Sequence, residues 1–376
     1  MALTLVSGPD IISYTRNIIN VVVTLETDPE YTDVYALCNI YDSSSNLVVS
    51  LFARPDDDYN VTYSIASVLD SITSFSNIQP NVLNEKNTTA AIRYYCHVVQ
   101  YSKSVMVNGI NIGLTGGNPS LYAFKGGIDL NHISTDIFNL LKTNDMWLTW
   151  LTSDFVLLDQ PYYLYYLHQY DSAFLTVQAK VYYTDGSSDT KTLTDFGEVP
   201  KYTLLKVATG FNQQSLGDLQ PTKTPMYYEV WINSLAQIFT FNISTSYFPS
   251  AKYLAYANSL GGFSYMFLGN LKNNIVPTFT ETEKPNEAGN RKNSFAYLIE
   301  KEITGYSGHI SKLKADSLTD LFTSDSRFEL FNDSFLKIAI DKKSKIEYSE
   351  TENLNSATII YSRSNINRNY TPDVTS

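Results

Sequence analysis

The residues best suited to chemistry are four histidines, two cysteines, a run of three aspartates and several paired glycines. A metal site needs ligands that converge, usually from short, recognisable spacings. His97, His132, His168 and His309 lie in no such pattern with another His, Cys, Asp or Glu. Cys96 and His97 are adjacent, but neighbours on a strand point to opposite faces and do not share one metal. His168, in "YYLHQY", reads as a structural imidazole. No G-x-S-x-G elbow is present to raise a serine nucleophile. Asp56-Asp57-Asp58 resembles half of a calcium loop. The D-x-[DN]-x-[DN]-G order and its later Glu are absent, so a solvated turn is expected. Paired carboxylates for glycoside hydrolysis require a cleft and a set separation, which the sequence does not display. The expectation is no catalytic, cofactor-binding or metal-binding residue.

Glycine pairs pose the next question. "YANSLGGFSYMFLGN", Tyr256 to Asn270, holds Gly261, Gly262 and Gly269 around an aromatic run. A phosphate loop needs a helix opening after its glycines, to present backbone N–H groups to the anion. Here alternating Phe263, Tyr265 and Phe267 follow, which is a strand. Gly261, Gly262 and Gly269 are therefore read as structural turns, with Gly269-Asn270 closing the strand. Gly116-Gly117 and Gly126-Gly127 are read likewise. In "QPYYLYYLHQY", Tyr162, Tyr163, Tyr165 and Tyr166 are candidates for subunit contacts or for stacking a glycan, since Tyr is enriched at interfaces.

The elements that must position these residues are mostly strands. Tyr (29) and Phe (19) are abundant in the 376-residue chain, and charged residues are only 17%; aromatic and β-branched residues suit a half-buried pleat. "INVVVTLETD", "TDVYALCNIYD" and "NLVVSLFARP" end in turn-forming residues. Asn108-Gly109, between apolar flanks, reads as a two-residue hairpin turn. Leu175, Val177, Ala179, Val181 and Tyr183 alternate with polar residues up to an Asp185-Gly186 turn. "FLKIAIDKKSKIEYS" reads as another hairpin. Ile65, Val68, Leu69 and Ile72 share one face of a short helix. "STDIFNLLKT" offers Ser134 or Thr135 as N-cap of a second helix, and "SLTDLFTSDSRFEL" one or two further helical turns. The fold class expected is mainly β: two consecutive antiparallel β-sandwiches (Ig-like or jelly-roll-like) at 1–118 and 119–247, then a smaller β-rich domain with short helices at 248–376. "LTGGNPS", Leu114 to Ser120, is the expected link.

Net charge is −11, so a nucleic-acid backbone would be repelled. No run approaches the roughly 18 apolar residues of a membrane helix. Cys38 and Cys96 sit in apolar stretches and read as buried free thiols, which does not fit a chain built for an oxidising compartment. "MALTLVSGPD" has neither a basic n-region nor a long apolar h-region, so no signal peptide is expected. The polar tail "SRSNINRNYTPDVTS" would fray unless a neighbour holds it.

Several segments, in order, resemble a family of virion structural proteins encoded by tailed phages of Bacteroidetes. "SGPDIISYTRNIINVVVTL" is similar to that family's opening. "FARPDDDYNVTYSIASVLDSI" resembles its strand, acidic turn and short helix. "NSLGGFS" followed by an aromatic strand resembles its later glycine turn, with Ser264 where Asp or another polar residue is usual. "YLIEKEITGYSGHISKLKADSLTDLFTSDSRFEL" resembles its late segment. The resemblance implies a non-enzymatic building block of a tail, neck ring or baseplate. It would be located in the virion, made in the host cytoplasm, and partnered by copies of itself and other virion proteins. It carries over no active residue and no cofactor. A receptor- or glycan-binding adhesin, motivated by the tyrosines, is the alternative, with host surface glycan as its partner.

Overall fold

The computed structural model describes residues 3–75, 78, 82–113, 120–128, 137–233, 237–244, 248, 250–286, 289–331, 333–348 and 355–363, with backbone alone for 137, 275–286 and 289–300. Positions 114–119 of the expected link, His132, the capping candidates Ser134 and Thr135, and the tail beyond Arg363 lie outside these residues. The chain is mainly β, as the composition leads one to expect.

The first stretch of chain forms β1 (Thr4–Ser7), β2 (Ile12–Tyr14), β3 (Asn20–Thr24), β4 (Val34–Asp42), β5 (Leu47–Ala53), β6 (Asn60–Ser64), α1 (Ala66–Ile72), β7 (Asn84–Asn87), β8 (Ala91–Ser102), β9 (Val105–Ile112) and β10 (Leu121–Phe124), and all of these but β7 build the first unit. A three-stranded sheet, β1-β3-β6, faces a six-stranded one in which β2-β10-β8-β4-β5 run side by side and β9 pairs with β8. Alternation turns Val21, Val23, Ala36, Cys38 and Ile40 inward, where they form one core with Leu69 of α1. Both cysteines are free and buried there. The β8–β9 turn is Lys103-Ser104, both at positive φ (49° and 67°). Asn108-Gly109 is not the turn; it lies within β9. A Cβ on Gly109 would come 2.8 Å from Nε2 of His97, so this glycine makes room for a cross-strand imidazole.

Next come α2 (Ile137–Thr143), β11 (Ser153–Val156), β12 (Tyr163–His168), β13 (Ala173–Tyr183), β14 (Ser188–Val199), β15 (Thr203–Ala208), β16 (Pro225–Ile232) and β17 (Phe239–Ile243). The five-stranded sheet β11-β17-β16-β13-β14 covers the three-stranded sheet β12-β15-β7. Two strands cross the expected boundary near 118: β7 joins this second unit, and β10 belongs to the first. Two short pairings, β2 with β10 and β11 with β17, are parallel. The Asp185-Gly186 turn forms as its sequence predicts, with Gly186 at φ +83°.

The third unit holds β18 (Lys252–Ala257), β19 (Phe263–Asn286), β20 (Gly289–Ile310), α3 (Lys312–Ser317), α4 (Thr319–Thr323), β21 (Arg327–Phe331), β22 (Ser334–Ile340), β23 (Lys345–Glu347) and β24 (Asn355–Arg363). A β20–β24 pairing closes β20-β19-β18-β21-β22-β24 into a small barrel. "DKKS" is not a hairpin tip. β22 and β23 both pair along the edge of β24 opposite β20, so Asp341–Ser344 bulges out of one interrupted strand. Gly269 does not close a strand either. β19 runs on past it to Asn286 with a register shift after Gly269, and Phe248 packs where its Cβ would be, at 2.5 Å.

Candidate interaction surface and buried joint

The second unit and the barrel share one continuous core, in which Phe263 and Tyr265 of β19 pack with Tyr163 and Tyr165 of β12. A polar joint lies beside it. In β11 the alternation exposes Ser153 and Phe155 and turns Asp154 inward with Val156. On the barrel side, the Ser311 hydroxyl caps α3 by accepting from the Lys314 N–H at 3.1 Å. That start aims Lys314 back at β11. Its Nζ donates to Asp154 Oδ2 at 2.6 Å and to the Tyr265 carbonyl at 2.7 Å. The Tyr162 hydroxyl donates to the same carboxylate oxygen at 3.0 Å. Both charged side chains are only 8% exposed. Burial, reinforced by the Asp154 charge, pushes the Tyr162 phenol well above its ordinary range, so it stays a neutral donor.

A cleft of about 70 Å³ adjoins this pair, lined in part by Ser307, His309 and Ser311. Small-molecule sites run to about 300–1,000 Å³. The geometry of this cleft therefore favours a joint over a reaction chamber: two charges, the Tyr162 hydroxyl and the Tyr265 carbonyl satisfy each other across two units.

The glycine turn is a second joint. Asn258 and Gly262 exchange hydrogen bonds, and Asn258 Nδ2 donates to the Leu148 carbonyl at 2.8 Å. The N–H and hydroxyl of Ser259 both donate to Asp320 of α4, at 3.0 and 3.2 Å. Burial raises the Asp320 carboxyl above its usual range. The Tyr14 hydroxyl of the first unit donates to the Leu260 carbonyl at 2.9 Å. Gly261 sits at φ +88° with the Lys125 carbonyl 2.4 Å from where a Cβ would be, and Tyr165 closes over Gly262 at 3.1 Å. A Cβ on either glycine would meet protein atoms, while Asn258 and Ser259 of the same turn line an open cleft of about 250 Å³ with Gly126, Gly127 and Asp320.

Tyr162, Tyr163, Tyr165 and Tyr166 do not lie on a surface. Each is at most 2% exposed. β12 and its neighbour β15 are buried at every residue, because their sheet is covered on both faces, and such strands read as unbroken apolar runs. No face of these four rings is open to a sugar or to another subunit. His168, on the same strand, bonds the Asp171 carbonyl at 3.0 Å, while its Nδ1 has no partner among the described residues. Among the described residues no three His, Cys, Asp or Glu side chains converge as metal ligands. Asp56 accepts the N–H groups of Asp58 and Asn60 and so organises a local turn. No helix among the described residues is long and apolar enough to cross a membrane.

The aromatic surface lies elsewhere, on the outer face of the six-stranded sheet. Residues of β4 that alternate with the buried Ala36, Cys38 and Ile40 point outward: Tyr35, Leu37, Asn39 and Tyr41. Register sets Tyr35 opposite Tyr101 and Tyr41 opposite Tyr95. The first pair stacks at 5.1 Å between ring centroids and the second at 4.9 Å. Phe52 of β5 extends the first pair, 5.3 Å from Tyr35, and Met106 of β9 lies across from Tyr101. Phe52 is 59% exposed and Met106 56%. His97 sits mid-face opposite Asn39, and partial burial depresses its basicity. Four strands thus present a face to solvent with aromatic pairs toward both ends and Asn39 and His97 between them. The sequence signal was present: in "YALCNIY" one alternating set is Ala36, Cys38 and Ile40 and the other is aromatic or apolar except for Asn39, so a half-exposed strand shows apolar or aromatic residues to water whichever set is buried.

No protein-family model matches the chain, and no curated protein matches it. Similar solved structures include invasin, a bacterial integrin-binding protein, at 9% identity and TM-score 0.25 over 95% of this chain and 73% of that one. The extracellular region of plexin A4 is similar at 10% identity and TM-score 0.21, over 96% of this chain and 39% of that one. Likenesses of this size carry no argument about function.

Proposed function

We propose that this chain is a non-enzymatic structural component of a tailed bacteriophage virion, in a tail, neck ring or baseplate. It acts by symmetric assembly with itself and other virion proteins. The outer band around Tyr35, Tyr101, Phe52 and Met106 carries the reading, because contiguous exposed apolar surface marks interaction sites. Aromatic residues and Met are the types enriched at the centres of protein interfaces. The ordered run of segments that resemble phage structural proteins supports the virion setting. The polar joints support it too: they tie three β units into one block able to bear load. A stable contact would bury roughly 1,200–2,000 Å² in total.

The test is mass spectrometry of purified particles, together with the double substitution F52E/M106E. The chain is expected in several copies per particle. The substituted chain is expected to fold normally, since changes at exposed positions shift stability by about 0.5 kcal/mol or less, yet to be missing from particles. Absence of the unmodified chain from purified particles refutes the proposal.

A second reading, a glycan-binding adhesin, draws on the same stacked tyrosines, since a flat aromatic pair can seat a sugar ring. Specific binding on a glycan array, lost in Y35A and Y101A, would favour it over assembly.

A further inference from the structure

The strands β19 and β20 are far longer than the barrel they help to close. β18 pairs with β19 only from Phe263 to Leu268, and β24 pairs with β20 only from Glu302 to Ile310. Beyond those limits β19 and β20 continue to pair with each other, from Ile275 opposite Lys301 out to Asn286 opposite Gly289. Among the described residues no other strand joins them there. At about 3.3 Å per residue this two-stranded ribbon projects roughly 36 Å from the barrel. A globular body of this chain's length has a radius of gyration of about 21 Å, which for a sphere is about 54 Å across, so the ribbon is long enough to lie over more than half the width of a neighbouring copy.

An isolated two-stranded ribbon is marginal in water, and both its outer edges offer unpaired N–H and C=O groups. Proteins usually cover or shorten such edges; here they extend for about a dozen residues on each strand. Charge points to the occupant. By sequence, residues 272–302 contain the bases Lys272, Lys284, Arg291, Lys292 and Lys301 and the acids Glu281, Glu283, Glu287, Glu300 and Glu302, which cancel, while the chain as a whole carries −11. The whole excess negative charge therefore lies on the body. Two bodies repel each other, whereas a neutral ribbon can approach a second copy without that penalty. The chain also presents an edge: β14 ends its sheet and carries no further strand pairing among the described residues, although Lys86 donates to the Phe196 and Glu198 carbonyls near its end, which leaves the stretch from Ser188 to Asp195 as the receptive part.

We propose that the β19–β20 ribbon is an assembly arm that adds, by main-chain hydrogen bonds, to a sheet edge of a second copy of this chain. This deepens the assembly reading above. Strand addition of this kind draws affinity from backbone pairing and needs no deep pocket. Repeated head to tail, such a contact closes a ring when the rotation between copies allows it.

The test replaces residues 275–301 of the full chain with Asn-Gly. This leaves Asn274 and Glu302, already cross-strand partners, flanking a favoured two-residue turn. Sedimentation velocity over a wide concentration range compares the two proteins, and hydrogen exchange of the unmodified chain follows the arm amides. The unmodified chain is expected to self-associate with concentration-dependent protection of arm amides. The shortened chain is expected to associate at least tenfold more weakly while its circular dichroism and thermal midpoint stay close to the original. Equal association of the two proteins overturns the proposal. So does an unmodified chain that stays monomeric with arm amides exchanging equally fast at every concentration, or protection that appears only when other virion proteins are added. Self-association through the arm by a chain absent from purified particles would uphold the arm and refute only the virion reading.

Discussion

Removing one partner of the Lys314–Asp154 joint should unfasten the barrel from the second unit. The Lys314→Met change takes away both donors that reach Asp154 Oδ2 and the Tyr265 carbonyl. It leaves a carboxylate, 8% exposed, with the Tyr162 hydroxyl and the Phe155 N–H as its remaining donors. Stranding one member of a buried pair costs about 3–5 kcal/mol. Asp154→Leu should cost a similar amount, since it strands the Lys314 ammonium and deprives the Tyr162 hydroxyl of its acceptor. In the double variant K314M/D154L no charge is left behind. Apolar replacement of a buried pair is often neutral or stabilising, and the orphaned Tyr162 hydroxyl costs about 1–3 kcal/mol. The double variant should therefore lie within about 2 kcal/mol of the original, far from the sum of the singles. Urea unfolding followed by tyrosine and tryptophan fluorescence measures all four proteins. For a cooperative unit of 376 residues, 3–5 kcal/mol corresponds to a fall in thermal midpoint of about 4–6 °C. Single variants that each cost under about 1 kcal/mol, or a double variant equal to their sum, would show that the two groups do not act as a joint.

Three further outcomes follow from the geometry. Gly186→Ala, at φ +83° with open space around it, should cost about 1 kcal/mol from backbone strain alone. Gly261→Ala, at a similar φ but 2.4 Å from the Lys125 carbonyl, should cost several times more by chemical denaturation; equal costs would contradict the packing described. Hydrogen bonds from the Ser187 side chain and backbone, with help from Lys223, hold the Asp185 carboxyl down at about 2. Its folded pKa lies below its unfolded one, so its contribution to the turn is complete above about pH 4 and fades as pH falls toward 2. An NMR titration should find a midpoint near 2 that moves upward in S187A; an unshifted midpoint in that variant would refute the assignment. Tyr165→Phe removes the buried Tyr165–Tyr265 hydroxyl contact of 3.1 Å and should cost about 1 kcal/mol. A thermal midpoint unchanged in that variant would remove the contact from the joint.

Local pattern was legible wherever one residue type dictates one geometry. Strict alternation from Leu175 to Tyr183 gave both a strand and its buried face, and Asp185-Gly186 gave its turn. Ile65 to Ile72 gave α1. Non-local pairing was not legible. Asn108-Gly109 has turn chemistry, yet the register that buries Cys96 and Val98 places the turn five residues earlier, at Lys103-Ser104. "DKKS" has hairpin composition, but β24, which arrives later in the chain, occupies the edge that a hairpin partner would have used. The joint was hidden for the same reason. Asp154 and Lys314 are 160 residues apart, and α3 is a single short helix whose one clear local mark is Ser311 as its cap.

The tyrosines show what decides between core and surface. "YYLYY" and "YALCNIY" have similar composition, and the first looks more like an exposed platform. What separates them is the number of layers on top. β12 lies between a five-stranded sheet and the barrel, so both of its alternating sets are enclosed, and its hydroxyls find partners inside, as Tyr165 does in Tyr265 and Tyr162 in Asp154. β4 has a sheet over one face only, so Ala36, Cys38 and Ile40 form core while Tyr35, Leu37 and Tyr41 meet water. Covering the outer set of β4 would complete the same arrangement that β12 already has. A chain that encloses one tyrosine-rich sheet with its own barrel and leaves another open has the chemistry for a second layer supplied from outside itself.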